Sequence, residues 1–127
     1  INDAVERFKT SPELARINLE YMIDRIHLAK PDCEIIVQIM NMPIGQSASY
    51  RPNLNAYYDI YRRVAKKKNL LLIDHYPNWE KILAQGEVVF LKYVPDGLHP
   101  NEESGRNIIA PFIIKHLEDK SMRTQIK

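Results

Sequence analysis

The chain carries a single cysteine, Cys33, so it can neither close a disulfide within itself nor build a metal site from thiolates. That lone cysteine does not fix the compartment. No apolar run is long enough to span a bilayer, which excludes a transmembrane helix from the sequence. A net charge of +2 is too small to point to nucleic acid or a membrane surface as a partner. Internal repeats and low-complexity tracts are absent. The opening residues, Ile1-Asn2-Asp3, include no initiator Met and no signal or transit segment, so the chain reads as a polypeptide entered partway through. On that reading, targeting information and any upstream catalytic residue precede Ile1. What is present is enough for one domain with a real core: 127 residues, 45% hydrophobic and 27% charged, a soluble globular composition.

Residues 1–10 read as a loop and a short helical turn, with Val5 and Phe8 as apolar contacts. Ser11-Pro12-Glu13 predicts a helix start: Ser11 caps, Pro12 suits the first helical position, and Glu13 favours the positive dipole end. Leu14, Ile17, Tyr21 and Leu28 repeat at helical spacing and predict its inner face, with Ile23 or Ile26 near the seam, up to the stop at Lys30-Pro31-Asp32. The apolar run from Glu34 to Met40 predicts a strand covered on both faces, as in parallel sheets. Asn41 to Asn55 predicts a long loop at that strand's end, where open α/β sheets place ligands. Leu54 to Lys68 predicts a second amphipathic helix, turning Tyr57, Ile60, Tyr61, Val64 and Ala65 inward. Leu70 to Ile73 predicts a second buried strand, ending at Asp74-His75, and Trp79 to Ala84 a short helix. Val88 to Tyr93 reads as a strand or an extended approach to a turn. Asn101 predicts the cap of a last helix reaching about Leu117, with Ile108, Ile109, Phe112 and Ile113 inward and a frayed polar tail from Glu118. This order predicts half of a doubly wound α/β domain. Two strands are too few for a stable sheet, so further strands are expected upstream.

The chemistry concentrates in Val94-Pro95-Asp96-Gly97-Leu98-His99-Pro100-Asn101. Gly97 permits a backbone conformation that side chains oppose, and the two prolines stiffen the ends. An acid three residues before a histidine can fix one ring nitrogen and leave the other outward, as a general base requires. The plainer reading, a turn Asp beside a surface His, is weakened by Gly97, Pro100 and Asn101 ahead of an apolar helix. His75 with Asp74 reads either as lining of the same cleft or, the preferred reading, as a satisfied polar pair at a strand terminus. His27 and His116 lie at no ligand-like spacing to carboxylates, so no metal site is expected. Lys66 to Lys68 reads as a solvated helix end, and Tyr57, Tyr58 and Tyr61 as core and rim. Met42 to Arg51 is either an acyl or sugar pocket or a mobile surface loop.

Asp96-Gly97-Leu98-His99-Pro100-Asn101 resembles the last block of the SGNH (GDSL-type) hydrolases, and Asn2-Asp3 resembles the end of that family's Gly-x-Asn-Asp block. The resemblance covers essentially the whole chain, from the third block to the fifth. It implies a flavodoxin-like three-layer α/β/α fold with a parallel sheet whose N-terminal strands are missing from this chain. It implies a serine-type ester hydrolase, with His99 as general base, Asp96 orienting it, and Asn2 offering its amide to the oxyanion. The substrate implied is a small-molecule or carbohydrate ester, plausibly an acetyl ester, with no metal or organic cofactor. The nucleophilic Ser has no counterpart here: Ser47, Ser49 and Ser104 lack the Gly-Asp-Ser context, so this fragment alone is expected to be inactive. The alternative is a catalytically inactive α/β binding or interaction domain of the same fold. A phosphate- or nucleotide-binding domain is disfavoured, since no phosphate loop is visible.

Overall fold

Ser11 accepts a hydrogen bond from the backbone N–H of Leu14 at 3.1 Å, and behind this cap helix α1 runs Pro12–Ala29. The computed structural model in which this is seen describes residues 1–125. It divides into two compact units: Ile1–Met40 with Ile44–Asp74, and Asn41–Pro43 with the residues from His75 onward.

In the first unit, α1 is followed by strand β1 (Ile36–Ile39), the short helix α2 (Gly45–Ser49), helix α3 (Leu54–Lys67) and strand β2 (Leu71–Asp74). The strands pair in parallel, from Ile36 opposite Leu71 to Ile39 opposite Asp74, with α3 in the crossover that parallel pairing demands. Leu19 and Ile23 of α1 pack with Ile60 and Val64 of α3, flanked by Ile35, Tyr61 and Leu70. Glu20 on α1 accepts from Lys67 at 2.9 Å and also pairs with Arg16, while Lys68 pairs with Asp24. Such pairs at a wet rim are screened by solvent and contribute little to stability.

Three expectations are corrected here. The inner face of α1 is Ala15, Leu19 and Ile23; Leu14, Ile17, Tyr21 and Leu28 are 45–73% exposed. This helix is apolar around much of its circumference, and a 3.6-residue period identifies stripes without saying which one meets a neighbour. Strand β1 is not covered on both faces: Val37 and Ile39 are buried, while Ile36 and Gln38 are exposed. The long loop after β1 contains α2. The core face of α3 follows the sequence pattern, with Tyr57, Ile60, Val64 and Ala65 buried.

The second unit holds helices α4 (Tyr76–Leu83) and α5 (Glu87–Tyr93), the turn that follows, the short helix α6 (Glu102–Ser104), a π-helical turn (Gly105–Ile109), and helix α7 (Ala110–Gln125). Val88 to Tyr93 is thus helical, neither strand nor extended. Its β-branched Val88-Val89 favours a strand, but burying Phe90 against Trp79 overrides that preference. Phe90 meets Trp79 edge-on, with ring centroids 5.8 Å apart, and both are fully buried. Phe90→Ala should therefore cost about 3–5 kcal/mol, read as a lower urea midpoint at unchanged m-value; a loss below about 1 kcal/mol would show that this pair is not the unit's core.

Asn101 caps α6 as its sequence predicts, its Oδ1 accepting from the N–H of Ser104 at 3.0 Å. The π turn has a local cause. Pro111 has no N–H to offer Asn107 and its ring crowds that carbonyl, so Ala110 N–H reaches back to Gly105 instead. Ile108, Ile109, Phe112 and Ile113 are half-buried rather than core. The helix does not stop near Leu117 but continues to Gln125; the fraying expected of residues 126 and 127 lies outside the described residues.

Candidate active site

Gly97 adopts φ +72°, the left-handed region that glycine alone enters freely, and its N–H bonds to the carbonyl of Val94 at 2.9 Å. The chain thereby folds back over the carboxylate of Asp96. Oδ1 accepts from the N–H of Leu98 at 2.9 Å and from the N–H of His99 at 2.7 Å. Oδ2 lies 2.6 Å from Nδ1 of His99. The backbone N–H of His99, its imidazole and the N–H of Leu98, in that order, hold the Asp96 carboxyl well below the usual carboxylate range. An ionised carboxylate can only accept, so the Nδ1 it faces carries the proton, and in the neutral imidazole Nε2 keeps the lone pair. The His99 side chain is 75% exposed and that of Asp96 56%, so the ring is open to a reactant. One acid thus fixes both the backbone and the tautomer of the histidine, an arrangement competent for general-base chemistry.

Two further residues hold this turn. Asn41, at the end of β1 and buried, donates from Nδ2 to the carbonyl of Leu98 at 3.0 Å and to that of Met42 at 3.1 Å. Asn101 donates from Nδ2 to the carbonyl of Lys92 at 2.7 Å, while its own N–H bonds to the carbonyl of Tyr93 at 2.9 Å. Sequence reading passes over Asn41. Its signal is an amide directly after a parallel strand, where such sheets place functional groups.

Asn2 lies in the first unit. Its carbonyl accepts from the N–H of Val5 at 3.0 Å, closing a turn ahead of a 3₁₀ turn at Glu6–Phe8. The N–H of Glu6 bonds to the carbonyl of Tyr50 at 3.0 Å, and the Tyr57 hydroxyl donates to the carbonyl of Thr10 at 2.6 Å. Arg51 donates from Nε to the carbonyl of Ile1 at 3.2 Å and from Nη1 to that of Ser47 at 2.8 Å. The exposed Asn2 side chain lines a cavity of about 480 Å³, together with Val5, Phe8, Tyr50 and Arg51. Sequence reading reaches Arg51 only as the end of a loop read as a pocket or a mobile surface, with no role of its own.

Several other polar residues are tied to neighbours. Asp74 accepts from Nε of Arg62 at 2.8 Å, and the buried His75 ring lies 4.9 Å from that of Phe112. The Ser104 hydroxyl is committed to the carbonyl of Asn101 and that of Ser49 to the carbonyl of Gln46. Among the described residues, no group of three or more His, Cys, Asp or Glu side chains is gathered as a metal site requires. No helix among them is long and apolar enough to cross a membrane.

No curated protein and no solved structure matches the chain. Residues 1–105, a span that takes in Asn2 near one end and the Asp96–His99 turn near the other, match the GDSL-like Lipase/Acylhydrolase family, and the chain belongs to this family of hydrolases.

Proposed function

We propose that the chain is the C-terminal portion of a serine-type ester hydrolase, in which His99 is the general base, Asp96 its orienting acid and Asn2 a donor to the oxyanion. The nucleophilic Ser is assigned to sequence upstream of Ile1. Membership of an acylhydrolase family supports this reading, and the observation that carries it is the 2.6 Å contact from Asp96 Oδ2 to His99 Nδ1.

The Ser hydroxyl gives its proton to Nε2 of His99 as its oxygen bonds to the ester carbonyl carbon. Asp96 stabilises the resulting imidazolium, and the carbonyl oxygen, now an oxyanion, accepts from the Asn2 amide. Collapse of this intermediate breaks the bond to the alcohol oxygen, which leaves with the proton from Nε2. Water repeats the sequence on the acyl-enzyme and releases the acid. The substrate class is a small acyl group, acetyl foremost, on a carbohydrate or other small alcohol.

We assign the two strands to a larger parallel sheet in a flavodoxin-like three-layer α/β/α domain, completed by upstream strands. The exposed apolar row on α1 and the exposed Ile36 on β1 support a covering segment there. The protein extended through that upstream sequence should hydrolyse p-nitrophenyl acetate and take up one equivalent of a fluorophosphonate probe. Absence of both turnover and labelling would overturn the enzyme in favour of a binding domain of the same fold.

A further inference from the structure

Arg51 presents a problem that the hydrolase reading does not resolve by itself. Its side chain is 8% exposed, and its guanidinium bonds to two backbone carbonyls, those of Ile1 and Ser47. Burying a guanidinium carries a large desolvation cost, which hydrogen bonds to neutral carbonyls offset only in part. Stability alone is therefore a weak reason for a buried Arg at this place. What the planar fork does supply is geometry: rigid donors that lock two segments at a fixed separation.

The segments it locks are specific. Nε reaches the carbonyl of Ile1, which is the peptide unit directly preceding Asn2. Nη1 reaches the carbonyl of Ser47 in α2, two residues before the Ser49-Tyr50-Arg51 stretch that lines the cavity. The turn carrying Asn2 is also held from its other side, by Glu6 N–H to the carbonyl of Tyr50. Asn2 is thus clamped between two bonds to one short stretch, residues 50 and 51, and it lines a cavity together with Ser49, Tyr50 and Arg51.

We infer that Arg51 is a positioning residue for ester hydrolysis: its bond to the Ile1 carbonyl holds the Asn2 amide where the oxyanion forms. The inference rests on the function proposed above. Arg51 acts through Asn2 and not through His99. Losing an oxyanion donor typically reduces kcat about 10²- to 10³-fold, and a misplacement near 1 Å about 10²-fold.

The test is a double-mutant cycle in the intact protein with p-nitrophenyl acetate. Arg51→Met should lower kcat by about 10- to 100-fold, with KM within about twofold and an unshifted pH profile. Asn2→Ala should lower it more, and the double variant should be no slower than Asn2→Ala alone. Effects that multiply would overturn the inference, because Arg51 would then act independently of Asn2. Tyr57→Phe, which cuts the tether at Thr10, should leave kcat within about twofold; an equal loss there would reduce Arg51 to general support of the segment. Hydrogen exchange at the Val5 and Glu6 amides reads the clamp without catalysis. It should quicken at least about tenfold in Arg51→Met, and unchanged exchange overturns the clamp. Wild-type protein that hydrolyses no ester overturns the proposed function and this inference together. An active wild type with an additive cycle overturns this inference alone.

Discussion

Replacing His99 by Ala in the intact protein is expected to lower kcat toward p-nitrophenyl acetate by about 10⁴- to 10⁶-fold. On the proposed mechanism only an imidazole whose Nε2 is free accepts the serine proton as the carbon–oxygen bond forms, and no other described side chain shares the contact to Asp96 Oδ2. The fold should survive the change. The turn is held by Asp96 Oδ1 on two backbone N–H groups and by Asn41 on the carbonyl of Leu98, none of which needs the ring. With the side chain 75% exposed, stability should move by no more than about 0.5 kcal/mol, so lost activity reports chemistry rather than unfolding. Turnover within tenfold of wild type would remove His99 from the reaction.

Asp96→Asn is expected to lower kcat by about 10⁴-fold. Its amide oxygen still accepts from Leu98 and His99, so the turn remains. The group facing Nδ1 becomes an N–H donor, however, which favours the tautomer with the proton on Nε2 and disables the base. The same carboxylate sets the acid response of the turn. Its folded-state pKa is depressed by the His99 backbone N–H, the imidazole and the Leu98 N–H. A depressed carboxyl contributes stability that is present above its unfolded value near 4 and is lost only as pH falls through the lower folded value. The backbone amide resonance of Leu98, which bonds to Asp96 Oδ1, should therefore show no transition centred near pH 4 in the wild type. A transition centred near 4 would show that the carboxylate is not locked, and the case for a preorganised base would fail with it.

What was readable from residue order alone was whatever closes over a few residues. The Asp96–His99 pair, the left-handed Gly97, the Ser11 and Asn101 caps and the inner face of α3 are of this kind. Each follows from the short reach of the backbone and from the chemistry of one or two side chains. Val88 to Tyr93 marks the limit: its local preference was for a strand, and packing of Phe90 on Trp79 made it a helix.

Family membership was also legible, since the blocks carrying Asn2, Asp96 and His99 stand in the right order along the chain. The face that α1 turns inward, the single buried face of β1, the reach of Asn41 to Leu98 and the grip of Arg51 on Ile1 were decided only by the tertiary structure. These last two bonds join residues 57 and 50 positions apart. A sequence specifies what such donors can bind, but which carbonyl comes within 3 Å depends on how helices and strands pack. The Asp96–His99 contact is thus written in one octapeptide, whereas the bonds of Asn41 and Arg51 come from contacts that no local pattern contains.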